Sequence, residues 1–305
     1  MLKKHIAGVL LFAALFTLPQ NSFAGPITFV TALPVAKGQG VFRAQSNSAL
    51  SNSRTSLISS VVFAYGATEK LSLFANLPNV YGSQQSQLGG KSVTRNHIAA
   101  GDLLLYARYQ LVHKNWFGKT FRITPIVGTY LPTGSYLAED QYGRLPNSLQ
   151  TGSGTASPYV ATALTAETLK YEYNADITYR YNPGTKSYRL GNEMRTDLSF
   201  QRRLLPWRLG DGVPNFLYFI LETNYLQDGI SHLGGTKLNG TGGSQWLLDP
   251  GLNFAAERWQ MGAVAQIEIH QTAYLVQAPS RTVGAVGFFQ YYFGLPSIGH
   301  MRFHR

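Results

Sequence analysis

The sequence contains no cysteine. That excludes a lipid anchor on an amino-terminal cysteine, and it excludes a disulfide framework. Charge is also scarce, at 13% of residues. Beyond residue 24 no apolar run approaches the roughly 20 residues that a membrane-spanning helix needs. No strand-turn-helix serine motif and no zinc-ligand spacing occurs, which removes the usual signatures of hydrolases and metal sites. The implied metal and cofactor content is therefore none. His300 and His304 would have ligand spacing only on a helix, and the tail carries no helix signal.

What is present begins with a leader. Lys3, Lys4 and His5 precede an apolar run over 6–18, followed by Pro19 and Ser22-Phe23-Ala24. This is the pattern of a secretory signal peptide over 1–24, with cleavage expected between Ala24 and Gly25. The chain also holds 18 Tyr, 17 Phe and 31 Gly. A secreted, tyrosine- and glycine-rich chain of alternating segments fits an outer-membrane barrel of a Gram-negative bacterium better than a soluble sandwich.

The clearest alternation lies in 171–201. Tyr171, Tyr173, Ala175, Ile177 and Tyr179 alternate with Glu172, Asn174, Asp176, Thr178 and Arg180. After Asn182-Pro183-Gly184, Tyr188, Leu190, Met194, Leu198 and Phe200 alternate with Arg189, Glu193, Arg195, Asp197 and Gln201. A period of two with one apolar face means strands. Similar runs occur over 41–50, 54–68, 71–77, 97–111, 121–127, 155–166, 216–227, 246–254, 260–270 and 283–293. The expectation is an all-β, antiparallel up-and-down transmembrane barrel of about twelve strands. Short connections near 68–70, 113–119, 167–170, 206–214 and 257–259 alternate with longer ones at 81–96, 133–154, 182–187, 229–244 and 271–280. Short periplasmic turns and long external loops are the barrel pattern. A local bulge is expected at Pro125, which cannot donate to a ladder. The expected division is a leader over 1–24, a periplasmic lead-in or small plug over 25–39, a barrel over 40–293 and a periplasmic tail over 294–305.

In lipid a sheet must close, so the apolar parity faces outward and the polar parity lines the lumen. That assigns Arg43, Arg122, Glu172, Asp176, Arg180, Arg189, Glu193, Arg195, Asp197, Glu222, Asp249, Glu268 and His270 to the interior. They fit a permeation path or a ladder of interior ion pairs, and a register bringing Asp176 to Arg195 would keep like charges apart. Thr178, Arg180, Arg189, Glu193 and Arg195 fall toward the external half. Trp116, Trp207 and Trp259 fall at periplasmic turns, as an interfacial aromatic girdle would.

Several stretches carry a family resemblance: Gly101-Asp102-Leu103-Leu104-Leu105-Tyr106-Ala107-Arg108-Tyr109, Tyr130-Leu131-Pro132-Thr133-Gly134, Gly152-Ser153-Gly154, and more weakly Trp246 through Gly251-Leu252. They resemble the outer-membrane transporter family named after the meta-pathway of phenol degradation. The resemblance implies a β-barrel passing small molecules, aromatic or apolar ones among them. The final run Phe288-Phe289-Gln290-Tyr291-Tyr292-Phe293 is similar to the aromatic signal read by barrel-assembly machinery, although residues 294–305 follow it.

The leading expectation is thus a channel in outer-membrane lipid for a small-molecule solute. An anion-preferring porin is the alternative, given the Arg-bearing hairpin and a net charge of +11 that becomes 11 − 2 = +9 without the two lysines of the leader. A barrel-embedded lipid hydrolase would need a Ser–His pair, for which His270 and Ser280 are the candidates. No catalytic residue is assigned and the chain reads as a non-enzyme. Nucleic-acid binding, suggested by the pI of about 9.7, conflicts with the leader and with the dispersal of basic residues.

Overall fold

The computed structural model describes residues 25–51, 54–185, 188–208, 215–239, 241–272 and 283–294. The leader over 1–24 and the tail beyond residue 294 lie outside the described residues, as do Ser280, His300 and His304.

The wall is built from β1 (Gln39–Leu50), β2 (Arg54–Gly66), β3 (Leu71–Leu88), β4 (Lys91–Ala100), β5 (Leu103–Tyr109), β6 (Val112–Trp116), β7 (Lys119–Leu131), β8 (Ser157–Thr168), β9 (Tyr171–Arg180), β10 (Glu193–Leu205), β11 (Phe216–Asp228), β12 (Gly243–Ala255), β13 (Trp259–Gln271) and β14 (Val283–Gly294). β3 pairs with β4 and β5, and β7 with β5 and β6, so β4 to β6 are successive pieces of one wall strand. The wall therefore has twelve strand positions. It closes where β14 pairs with β1 from Gln39↔Gly294 to Leu50↔Val283. Every pairing within it is antiparallel. Closure leaves no edge, which is what makes the fold compatible with a bilayer.

Parity decides which solvent each side chain meets. In β9, Tyr173, Ile177 and Tyr179 are exposed on the outer face, while Glu172, Asn174 and Asp176 are buried inside. Leu198 is exposed outside β10, and Asp197, Ser199 and Gln201 are buried within. The short connections, the start of β1 and the end of β14 share one end, taken below as periplasmic.

Four details differ from the sequence expectation. The stretch 81–96 is not a loop but a long hairpin closed by Gly89 and Gly90, with φ of +56° and +79°. Here the inner face meets residues 132–156, through Arg95 with Asp140 and Gly82 with Leu149, so the apolar period disappears although the ladder continues; two positive φ values suit the tight turn. Residues 113–116 are strand, and the turn there is Phe117-Gly118. Pro125 keeps its register with Thr162. The irregularity lies opposite it: β7 passes from the pair Arg108↔Ile126 to Val112↔Ile123, leaving one extra residue between β5 and β6. Finally, Tyr188-Arg189 is outside the wall; it pairs with His232-Leu233 in a small external ribbon.

Inside the barrel runs an extended segment, residues 25–38. Pro26 and Pro34 lack amide hydrogens and keep it from joining the sheet. It rises from β1 at the periplasmic end, reaches the external half near Thr28, and returns toward Asn253 near the periplasmic end of β12. Its Ile27 packs with Ile220, Val264, Val286 and Phe288. Ala32 packs with Leu104, Ile126, Tyr159 and Ala161. Val35 packs with Val41, Ala64 and Phe74. These inward apolar residues break the rule that the inner face is polar, because they seat the segment.

Candidate functional site: the lumen and its inserted segment

A segment without secondary structure inside a barrel must find partners for its backbone groups. The wall supplies them. Glu222, in the middle of β11, accepts from the amides of Ile27 and Thr28 at 2.7 and 3.0 Å and from the Thr28 hydroxyl at 2.6 Å. Asn224 donates to that hydroxyl at 3.1 Å. The carbonyls of Ile27, Thr28 and Thr31 accept from Arg43, Arg195 and Arg108 at 2.8, 2.9 and 2.7 Å. Thr124 donates to the Ala32 carbonyl, and Asn253 to that of Gly25. The Ala32 amide donates to Thr165, and the Val35 amide to Ser72. The bonds made by Glu222 and by the three arginines are charge-assisted, each worth about 1.5–3 kcal/mol, so the clasp is strong relative to a domain's stability.

Most predicted lumen residues face inward, and their partners can be named. Arg195 lies on Asp197 at 2.7 Å, Arg180 on Glu193 at 3.8 Å and Arg122 on Glu167 at 3.7 Å. Glu172 accepts from Asn174 at 2.8 Å and Gln201 at 3.3 Å. Gln266 donates to Asp249 and Gln245 to Glu268. The register sets Asp176 opposite Asp197 and Thr178 opposite Arg195, so the expected Asp176–Arg195 pairing does not form. Arg195 folds along its own strand onto Asp197, and Asp176 accepts from Thr178 at 2.8 Å.

Two residues are not where parity put them. His270 lies opposite Trp246 on the outer face and is exposed. A bulge between the pairs Trp246↔His270 and Leu247↔Glu268 inserts one residue, which turns the following side chain to the other side. Arg189 sits in the external ribbon, its Nε donating to the Asn182 carbonyl at 3.3 Å. Trp116 and Trp207 are exposed at the short-turn end, and Trp259 stacks between Phe254 and Phe289 at the same end.

Between the inserted segment and the wall lies a cavity of about 470 Å³, extending from Glu193 and Tyr130 in the external half to Gln260 and Tyr292 near the periplasmic end. Alternation placed Arg43 and Arg195 of its lining in the lumen but missed Arg108 and the inward aromatic residues. Tyr106 stacks on Phe74 at 4.5 Å and meets Tyr159 edge-on at 6.2 Å. Arg108 lies over the Phe74 ring at 3.9 Å and Arg43 over Phe288 at 4.1 Å. In 103–109 both parities are apolar apart from Arg108, so Arg108 alone could have marked the inner face.

The mouth is partly covered by the loop 132–156. Asp102, in the break between β4 and β5, accepts from the Gly134 and Ser153 amides and the Ser153 hydroxyl, which ties both ends of the loop together. Leu149 is buried against the inner side of Gly82. Arg95 forms two bonds to Asp140 at 2.8 and 2.6 Å and reaches the carbonyls of Gly143 and Arg144. The bonds from Arg95 hold the Asp140 carboxyl below the usual carboxylate range.

Residues 37–278 match the model of the family described as "Putative MetA-pathway of phenol degradation". The chain belongs to this family. No curated protein matches it. Among solved structures, the COG4313 outer membrane channel from Pseudomonas putida F1 is 18% identical, with a TM-score of 0.62 over 89% of this chain and 100% of that one. The β domain of the Bordetella autotransporter BrkA is 13% identical, with a TM-score of 0.41 over 84% and 99% of the two chains. OmpT, an outer membrane protein of Vibrio cholerae, is 9% identical, with a TM-score of 0.34 over 83% and 98%. The first of these likenesses shows a shared barrel fold.

Proposed function

We propose that this family member is an outer-membrane channel through which small molecules, aromatic or apolar ones among them, pass beside the inserted segment. The observation that carries this reading is the lumen cavity, which reaches from the external half to the periplasmic end of a closed barrel. The likeness to the Pseudomonas putida channel and the membership of the family support it. The segment 25–38 occupies much of the interior, which favours a narrow path over a general porin. Within the same reading, the leader is removed at Ala24/Gly25, the barrel-assembly machinery inserts the chain, and outer-membrane lipid surrounds it. Trp116, Trp207 and Trp259 then mark the periplasmic interface, where indole bridges lipid and headgroup. The lipid-hydrolase alternative has little support, since His270 lies on the outer face opposite Trp246 rather than in a polar site. The test is solute uptake and ion conductance in proteoliposomes. Measurable flux of small solutes supports the channel; a solute-tight and ion-tight barrel overturns it.

A further inference from the structure

Two cations on the cavity wall make no direct ion pair among the described residues, although Glu222 lies within electrostatic range of Arg43 and Asp176 of Arg108. Arg195, Arg180 and Arg122 have acids beside them, whereas Arg43 and Arg108 take part in no ion pair among the described residues. Both line the same cavity and lie within electrostatic range of each other. Holding the inserted segment does not account for them. Each gives one bond to a segment carbonyl, as the neutral Thr124 and Asn253 also do. Two desolvated guanidinium groups facing one space are costly unless an anion joins them, and guanidinium is the side chain suited to a planar carboxylate.

The surface beside them is aromatic. Phe74, Tyr106, Tyr130 and Tyr159 form a contiguous set, and the three tyrosine hydroxyls have no hydrogen-bond partner among the described residues. A carboxylate of the same wall, Asp176, lies on β9, accepts from Thr178 and is within electrostatic range of Arg108 and Arg195. Its charge disfavours a second negative group on a bound molecule. The volume, about 470 Å³, lies in the range of small-ligand sites.

We infer that the cavity binds an arene carrying a single carboxylate, with the carboxylate between Arg43 and Arg108 and the ring against Phe74, Tyr106 and Tyr159. This rests on the channel reading, of which it names the solute class. The purified barrel in detergent is titrated with benzoate, benzamide, acetate and phthalate by calorimetry. Saturable benzoate binding is expected, with each of the other three about tenfold weaker or more. Arg108→Gln is expected to weaken benzoate by about tenfold or more while keeping heat-modifiable gel migration. If that variant fails to fold, Arg43→Gln is read in the same way. Absent benzoate binding, benzamide binding as tight as benzoate, or full affinity in both folded variants overturns the inference. Binding in detergent does not require flux: benzoate binding by a solute-tight barrel supports this inference and overturns the channel, and a conducting barrel without benzoate binding does the reverse.

Discussion

Glu222 accepts two amide hydrogens and one hydroxyl from the same dipeptide. Few single residues carry so much of an arrangement. Replacing it by Leu removes three acceptor contacts and leaves two amides unpaired inside the barrel, at about 1–3 kcal/mol for each unsatisfied group. Glu222→Leu is therefore expected to loosen the inserted segment and raise single-channel conductance severalfold; an unchanged conductance would show that the apolar contacts of Ile27, Ala32 and Val35 suffice to hold it. His270 gives the opposite expectation. It lies outside the lumen, so His270→Ala should leave conductance and ion selectivity as they are, and a shift in either would place it on the path after all. Glu222 and His270 looked alike in the sequence, as polar residues on the lumen parity. Only the bulge beside Ile269 separates them, and an extra residue in a ladder has no composition of its own.

At the scale of elements, the inserted segment fills part of the lumen and the loop 132–156 lies at its external mouth. The segment has no share in the wall ladder apart from the isolated bridge between Lys37 and Gly66. Deleting residues 25–35 while retaining the leader should preserve heat-modifiable migration and increase conductance several times over. Loss of the folded form would mean that the barrel needs the segment as a core. The loop depends on Arg95 and Asp140. Because the Asp140 carboxyl is held below its usual range, its contribution is present above the unfolded value of about 3.9 and is lost as pH falls through the lower, folded value. Hydrogen exchange of 133–154 should accordingly stay slow at mildly acid pH and quicken only below the ordinary carboxylate range. Asp140→Asn should remove that step, and an identical profile in the variant would show that Asp140 does not hold the loop. The sequence marked both stretches as irregular, through Pro26, Pro34 and the Gly, Pro and Ser of 133–154. It left open whether the first is a lead-in or a small plug, and it did not show that the other folds over the mouth, because their partners lie far away in the chain.

The whole molecule is held by closure. β14 pairs with β1 along its full length and with β13 on the other side. Removing residues 283–305 would open two edges in a hydrocarbon environment that cannot hydrate them, so heat-modifiable migration should vanish; its retention would mean that β13 can close on β1 directly. The same closure explains what was legible. Alternation of period two and the spacing of the connections together pointed to an all-β barrel of about twelve strands, because lipid admits so few ways of closing a sheet. They also determined which face of 171–180 and of 193–201 turns inward, but not that Tyr188 and Arg189 leave the wall. The tertiary structure alone decided that Arg195 bonds Asp197 rather than Asp176, that inward Ile220, Val264 and Phe288 seat Ile27, and that Arg43 and Arg108 meet across one cavity. Lipid sets the outer parity residue by residue, so the sequence can show it. The interior is filled by whatever the closed wall and the inserted segment bring together, and that depends on register and on contacts between residues far apart in the chain, 228 positions for Gly25 and Asn253.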